Sequence, residues 1–306
     1  MVKIAVLKET AAGETRVSAS PETVKKFIAL GASVSVENDA GATASIGNSD
    51  YESAGASVGS LSSVLKDADI ILGVQGPDPK VLVGMKAGAW LVAGLDPFGQ
   101  RSRVDGYAKA GVDALAMEFM PRITRAQSMD IMSSQSNLSG YKAVIEAASV
   151  YGRAFPMMMT AAGTINPAKT LVLGIGVAGL QAIATAKRLG SVVSAYDVRL
   201  ATKEQAESLG AKFVYPSELM SDSEDKTGYA KEVSRDFAAI QERFLNQIID
   251  KFDIVITTAQ IPGKKAPLLI TKDMVAKMRP GSVIVDMAAS SGGNVEDSVE
   301  DKVLVK

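Results

Sequence analysis

The sequence predicts an α/β protein of two doubly wound parallel-sheet domains joined by a long helix. Three observations predict it. The 306 residues exceed one small core and suffice for two units of ordinary domain size. Short apolar runs alternate with helical patterns twice, once before residue 120 and again from Thr170, which is the mark of βαβ units with right-handed crossovers. The composition, 47% hydrophobic and 22% charged, is globular rather than disordered.

The first domain is expected over residues 1–125. Lys3–Val6 reads as a strand. Ser20 caps a helix whose first position is Pro21, with Val24, Phe27 and Ile28 on one face and Gly31 at its end. Ser33–Val36, Asp69–Val74, Trp90–Leu95 and Ala114–Met117 read as the next four strands. From Ile123 to about Ala154 the pattern becomes a long helical connector. Its start is unusually polar, with Ser128, Asp130, Ser133, Ser134, Gln135, Ser136 and Asn137.

The second domain, 126–306, resumes the alternation. Leu171–Leu173 is a strand, Gly179–Leu189 a helix, Val192–Tyr196 a strand, Lys203–Leu209 a helix and Lys212–Val214 a strand. Residues 216–251 show no clear strand, and their charged, glycine-containing middle suggests a long mobile loop. Asp253–Thr258 and Ser282–Met287 are further strands, separated by a helix over Thr271–Met278.

Charge and missing residue types exclude several functions. Thirty-three basic and 34 acidic residues give a net charge of −1, leaving no basic surplus for nucleic acid or anionic membranes. Without cysteine there are no disulfides, thiolate metal sites or cysteine nucleophiles. Without histidine there is no serine–histidine triad, histidine-ligated zinc or histidine general base, and no metal site is expected. The most apolar stretches, Val81–Leu95 and Phe155–Ala162, fall short of the roughly 18–20 residues a membrane helix needs. The N-terminus leads directly into a strand pattern, so a cytoplasmic location without direct membrane insertion is expected.

Gly174-Ile175-Gly176-Val177-Ala178-Gly179 matches GxGxxG. It follows an apolar strand, opens a helix, and precedes a second strand ending in Asp197, 23 residues after Gly174. This context predicts a Rossmann-like dinucleotide site. Gly174 permits the tight turn, Gly176 lets pyrophosphate approach the backbone, and Gly179 lets helix and strand pack closely. The helix start offers free N–H groups and partial positive charge to phosphate. Asp197 would accept from adenosine ribose hydroxyls and repel a 2′-phosphate, favouring NAD(H), while Arg199 could pair with such a phosphate.

Longer runs carry a resemblance. Pro121–Asp130 (PRITRAQSMD), Ser133–Asn137 (SSQSN), Lys8-Glu9 with Glu14–Val17 (ETRV), and Arg153–Gly163 are joined by the glycine turn, Asp197-Val198-Arg199, Gly228–Glu232 (GYAKE) and Ile261–Lys264. Through them the chain closely resembles, essentially end to end, the NAD(H)-binding component (domain I, the alpha subunit in its split form) of the proton-translocating NAD(P) transhydrogenases. The resemblance implies that nicotinamide and its ribose lie beside Arg122, Gln127 and Asp130, with Ser133 nearby and Ile123, Thr124 and Arg125 in the same binding segment. Arg122 and Asp130 would orient the ring, and Gln127 would reach toward a second nucleotide. Val177 and Asp197-Val198-Arg199 would hold pyrophosphate and adenosine. A mobile loop with Gly228 and Tyr229 would close over nucleotide, and Gln241 and Gln260 would line the site. It also implies an NADP(H)-binding component and membrane-spanning proton-channel subunits as partners, a homodimer, and a peripheral place on the inner membrane.

Two departures are evident. Position 260 is Gln where many members have Leu. The chain ends at Lys306, just after a strand-like Val303–Val305, where members continue with a further strand, a segment near the nucleotide and helices returning to the first domain. A shortened chain is therefore expected.

The missing histidine suits the implied chemistry. Amino-acid and hydroxy-acid dehydrogenases move a proton with the hydride and need an acid or base. Transfer between two nicotinamide rings needs only apposition, orientation and exclusion of water. With a single glycine fingerprint, NADP(H) would come on another polypeptide. An alanine-dehydrogenase-like enzyme working through lysine, and a non-catalytic NAD(H) sensor, are the alternatives.

Overall fold

In the computed structural model, residues 1–218, 235–261 and 263–306 are described. The chain divides into two units, Met1–Ile131 and Met132–Lys306.

The first unit holds a parallel sheet of β1 (Lys3–Val6), β2 (Ser33–Glu37), β3 (Ser57–Gly59), β4 (Ile70–Gln75), β5 (Trp90–Gly94) and β6 (Asp113–Ala116), in the order β3-β2-β1-β4-β5-β6. This is a doubly wound order, in which the winding reverses between β1 and β4. Alternation sorts the core onto two faces. From β1, Ile4 and Val6 join Val24, Val34, Val36 and Tyr51 on one face. Ala5 and the following Leu7 join Ile71, Leu82, Leu91, Leu95 and Tyr107 on the other.

The helices of this unit are α1 (Pro21–Ala29), α2 (Asn48–Ser53), α3 (Leu61–Leu65) and α4 (Arg101–Lys109). Ser20 caps α1 by accepting from the Thr23 N–H, with Pro21 at the first helical position, as the sequence predicts. Strand β3 escapes the sequence pattern because Val58 is its one apolar residue. Its pairing with β2, Ser35 opposite Ser57, supplies the order that composition does not.

The second unit begins with α5 (Ile131–Val150), followed by the antiparallel hairpin β7 (Met158–Thr160) and β8 (Gly163–Ile165). The first part of the expected long helix is instead a 3₁₀ turn over Thr124–Met129. The main sheet runs β11-β10-β9-β12-β13, all parallel. Its strands are β9 (Lys169–Leu173), β10 (Val192–Tyr196), β11 (Lys212–Phe213), β12 (Ile254–Thr257) and β13 (Val283–Asp286). The helices α6 (Val177–Arg188), α7 (Lys203–Ser208), α8 (Arg235–Ile248) and α9 (Lys272–Lys277) complete it. Strands β9 and β12 are almost wholly buried, which explains the apolar runs Leu171–Leu173 and Ile254–Ile256 within them.

Two expectations are corrected. Residues 216–251 are not one loop, because 235–248 form α8, whose buried Phe237, Gln241 and Leu245 recur every fourth residue. Gln241 interrupts that apolar stripe and hides its period. Val303–Val305 forms no strand. Val303 is 89% and Val305 95% exposed, and β-branched residues without a neighbouring ladder do not fix an extended strand. Gly228 and Tyr229 lie outside the described residues.

No helix among the described residues is long and apolar enough to cross a membrane.

Candidate functional site

In the second unit the winding reverses between β9 and β12, and the turns leaving their carboxyl ends meet. Gly174, immediately after β9, has φ +97°, a conformation few other residues adopt. A Cβ there would also sit 2.7 Å from Thr258 Oγ1. Thr258 follows β12, and its hydroxyl donates to the Gly174 carbonyl at 2.9 Å. Gly176 is the N-cap of α6 and has no side-chain capping bond. A Cβ on Gly176 would meet nothing within 4 Å. At Gly179 a Cβ would run into the Gly174 carbonyl oxygen, so this glycine sets the approach of α6 to the turn. The first turn of α6 carries no acidic residue and its last turn carries Lys187 and Arg188. The positive end of the helix therefore faces the glycine turn with no acid of its own first turn to offset it. Behind it, a Cβ on Gly140 of α5 would meet the Ala178 carbonyl, so α5 lies close against the start of α6.

Strand β10 delivers Asp197 beside the turn. Its carboxylate accepts from the Ile175 N–H at 2.7 Å and the Arg199 N–H at 2.8 Å. It also accepts from Arg199 Nε at 3.0 Å and Nη2 at 2.9 Å. Arg199 Nη2 reaches the Ile175 carbonyl as well, at 3.2 Å. The two side chains are only 6% and 13% exposed. Val198, between them, is half-buried, and its carbonyl accepts from the Tyr215 hydroxyl at 3.4 Å. Tyr196 stacks on Tyr215 with ring centroids 5.9 Å apart. Its buried hydroxyl has no hydrogen-bond partner, and burial pushes its pKa well up.

Residues without a sequence signature hold the third wall. Asn294 is fully buried. Its Oδ1 accepts from the Ala259 N–H at 3.1 Å. Its Nδ2 donates to the carbonyls of Ala259 at 2.9 Å and Pro267 at 2.8 Å. Asp286, at the end of β13, accepts from the Asn294 and Val295 N–H groups and from the Thr257 and Ser298 hydroxyls. Gln260 extends from this wall, exposed, and its Nε2 donates to the Met287 carbonyl at 3.0 Å. Thr258 had one available signal, its place at the carboxyl end of an inner strand, where open α/β sheets bind ligands. Asn294 had none, because its partners are 27 and 35 residues away.

The structure therefore brings Gly174, Gly176, Val177, Gly179, Asp197, Val198 and Arg199 together, with Gln260 on the adjoining wall. Gln241 is buried in α8, one turn before Phe244, whose ring lies 5.9 Å from that of Tyr196. Arg122, Ile123, Thr124, Arg125, Gln127 and Asp130 belong to the first unit. There the 3₁₀ turn is anchored by buried Ala126, whose N–H donates to the Ile123 carbonyl at 2.9 Å. Arg122 to Arg125 and Gln127 are exposed, and Asp130 is half-buried. Ser133 is half-buried in the first turn of α5.

The Lys8-Glu9 and Glu14–Val17 motifs serve the first unit. Glu9 accepts from the Val74 and Gln75 N–H groups, and burial raises its pKa. Glu14 pairs with Arg16 at 2.6 Å and accepts from Gln75 Nε2 at 2.9 Å. The Arg16 guanidinium holds the Glu14 carboxyl down at about 2.

The sheet order, glycine turn and acid-ended second strand define a Rossmann-type α/β protein of the dinucleotide-binding kind. Models of the two domains called alanine dehydrogenase/PNT match the chain, the N-terminal domain over residues 5–139 and the C-terminal over 143–305. The chain belongs to the alanine dehydrogenase/PNT family. It is 54% identical over 310 residues to the first of the parts into which the NAD(P) transhydrogenase subunit alpha of Rickettsia prowazekii is divided, covering all of this chain and 81% of that relative. The crystal structure of a transhydrogenase from Sinorhizobium meliloti superposes with TM-score 0.85 at 49% identity, covering 97% of this chain and 81% of that one. An alanine dehydrogenase from Halomonas elongata is more distant, 29% identical over 302 residues, covering 97% of this chain and 75% of the relative.

Proposed function

We propose that this chain is the NAD(H)-binding alpha-subunit component of a proton-translocating NAD(P)+ transhydrogenase, exchanging hydride with NADP(H) bound on a separate component. The observation that carries the reading is the open glycine turn beside Asp197. The turn fits a dinucleotide, since space lies over Gly176, the positive end of α6 has no acid in its first turn, and a carboxylate stands at the ribose position. Bound NAD(H) supplies the hydride chemistry. The chain's residues bind and orient it.

Gly176 and Val177 hold the pyrophosphate through backbone N–H groups at a turn shaped by Gly174 and packed closely by Gly179, and Asp197 and Val198 hold the adenosine half, with Arg199 paired to Asp197 beside them. Arg122, Ile123, Thr124, Arg125 and Asp130 receive and orient the nicotinamide end, with Ser133 beside them. The exposed Gln127 reaches toward the partner's nucleotide. Gln241 and Gln260 complete the enclosure among the described residues. No proton moves at the reacting carbons, so a chain with no histidine can perform this transfer. The partners are the NADP(H)-binding component and membrane-spanning proton-channel subunits, through which a homodimer of this chain is held peripherally at the cytoplasmic side of the inner membrane.

The test mixes the purified chain with an NADP(H)-binding component and follows reduction of an NAD analogue by NADPH. Turnover that requires both components is expected. Consumption of pyruvate and ammonia with NADH would instead make the chain an amino-acid dehydrogenase. Dinucleotide binding with neither activity would make it a sensor.

A further inference from the structure

The pairing of Asp197 bears on coenzyme choice. An ionised carboxylate offers about four in-plane acceptor positions. At Asp197 all four are taken: Oδ1 accepts from the Arg199 N–H and Nε–H, and Oδ2 from the Ile175 N–H and Arg199 Nη2–H. The two backbone donors are fixed by the glycine turn and by the bend after β10. The other two belong to one movable guanidinium, further held by the Ile175 carbonyl. A ribose hydroxyl cannot be accepted by Asp197 while this fork is seated.

We infer that Arg199 is a specificity-determining residue that competes with the adenosine ribose for Asp197 and thereby weakens discrimination against a 2′-phosphate. The inference rests on the reading of the glycine turn as a dinucleotide site. Seated, Arg199 neutralises Asp197 in a nearly water-free pair. The ribose of NAD(H) must then displace a bidentate, charge-assisted contact to gain its own, and part of its binding free energy is lost to that exchange. A ligand with a 2′-phosphate meets the opposite situation. The phosphate draws the guanidinium outward onto itself, and Arg199 exchanges one anionic partner for another. The acid that excludes phosphate and the base that accepts it thus stand two residues apart and hold each other in check.

The inference is tested by titrating NADH and NADPH separately into the purified full chain, unmodified and with Arg199→Ala or Arg199→Lys, following nucleotide fluorescence. Removing the fork leaves Asp197 with its two backbone donors and two open positions. Arg199→Ala is expected to bind NADH at least as tightly as the unmodified chain and NADPH about tenfold more weakly, raising selectivity at least about tenfold. Arg199→Lys keeps the charge without the planar fork, so its selectivity should move the same way by a smaller factor. It also carries the test should the alanine variant not fold. Weaker NADH binding in either variant, or unchanged selectivity in Arg199→Ala, would overturn the inference by making Arg199 an ordinary nucleotide contact or a bystander. An unmodified chain that binds neither dinucleotide overturns the glycine-turn reading itself.

Discussion

Gly176→Ala separates folding from binding at the glycine turn. Gly176 sits at φ −87° and ψ −166°, ordinary extended backbone that alanine adopts without strain. A methyl group there meets nothing within 4 Å, so nothing in the fold must move. Reduced freedom of the unfolded chain would stabilise the variant by about 0.4–1 kcal/mol, and alanine as an N-cap would cost about as much. Stability should therefore stay within about 1 kcal/mol of the unmodified chain. Binding should not survive as well, because the methyl occupies the space through which pyrophosphate reaches the backbone. Losing two charge-assisted hydrogen bonds at about 1.5 kcal/mol each comes to about 3 kcal/mol, or about a hundredfold in Kd. Gly179→Ala is the contrast, since its Cβ strikes the Gly174 carbonyl and should destabilise by about 1–3 kcal/mol or more. Urea denaturation reads the first quantity and NADH fluorescence titration the second. Unchanged NADH affinity in Gly176→Ala would show that pyrophosphate does not lie over this residue. A stability loss matching the affinity loss would make the glycine structural.

Three further outcomes are expected. Arg122→Ala should lower turnover in the mixed-component assay by about tenfold or more while changing NADH affinity less than about threefold, and equal losses would contradict an orienting role. Glu14→Gln should destabilise by about 2 kcal/mol at neutral pH, discounted because Arg16 is 47% exposed. The Glu14 carboxyl titrates at about 2 folded and 4.5 unfolded, so its contribution is complete above 4.5 and fades as pH falls toward 2. The gap between native and variant should close over that window, and a gap that is constant with pH contradicts the pairing. Tyr196→Phe removes a buried hydroxyl that has no partner and should raise stability by about 1 kcal/mol in urea denaturation.

The fold was legible where burial writes a period into the sequence. Strands β1, β9 and β12 lie inside their sheets and stand out as short apolar runs between helical patterns, and β2 as an alternation of buried Val34 and Val36 with polar residues. The cap at Ser20 and the first-position Pro21 were readable because capping is local chemistry. Strand β3 was not, since its order comes from a neighbour 22 residues away at Ser35. Helix α8 was hidden by Gln241, a polar residue standing in its buried stripe. Val303–Val305 misled in the other direction, because β-branched composition reports suitability for a sheet, not the presence of one.

The site divides along the same line. Gly174, Gly176 and Gly179 could be assigned from spacing alone because each role is a property of backbone within a few residues. The walls could not. Thr258 and Asn294 act through partners 84 and 35 residues distant, and no sequence pattern couples such pairs. Asp197 is the instructive intermediate. Its place at the end of β10 was evident from spacing, and from place alone it reads as an open acceptor. Its state is set by the rotamer of Arg199, which seats a fork on the same carboxylate and ties it to the Ile175 carbonyl. A motif fixes where a functional group stands, whereas its availability depends on side chains that spacing does not orient. Coenzyme preference inferred from an acid at this position therefore carries the occupancy of that acid as an unstated premise, and in this chain the premise fails until Arg199 moves.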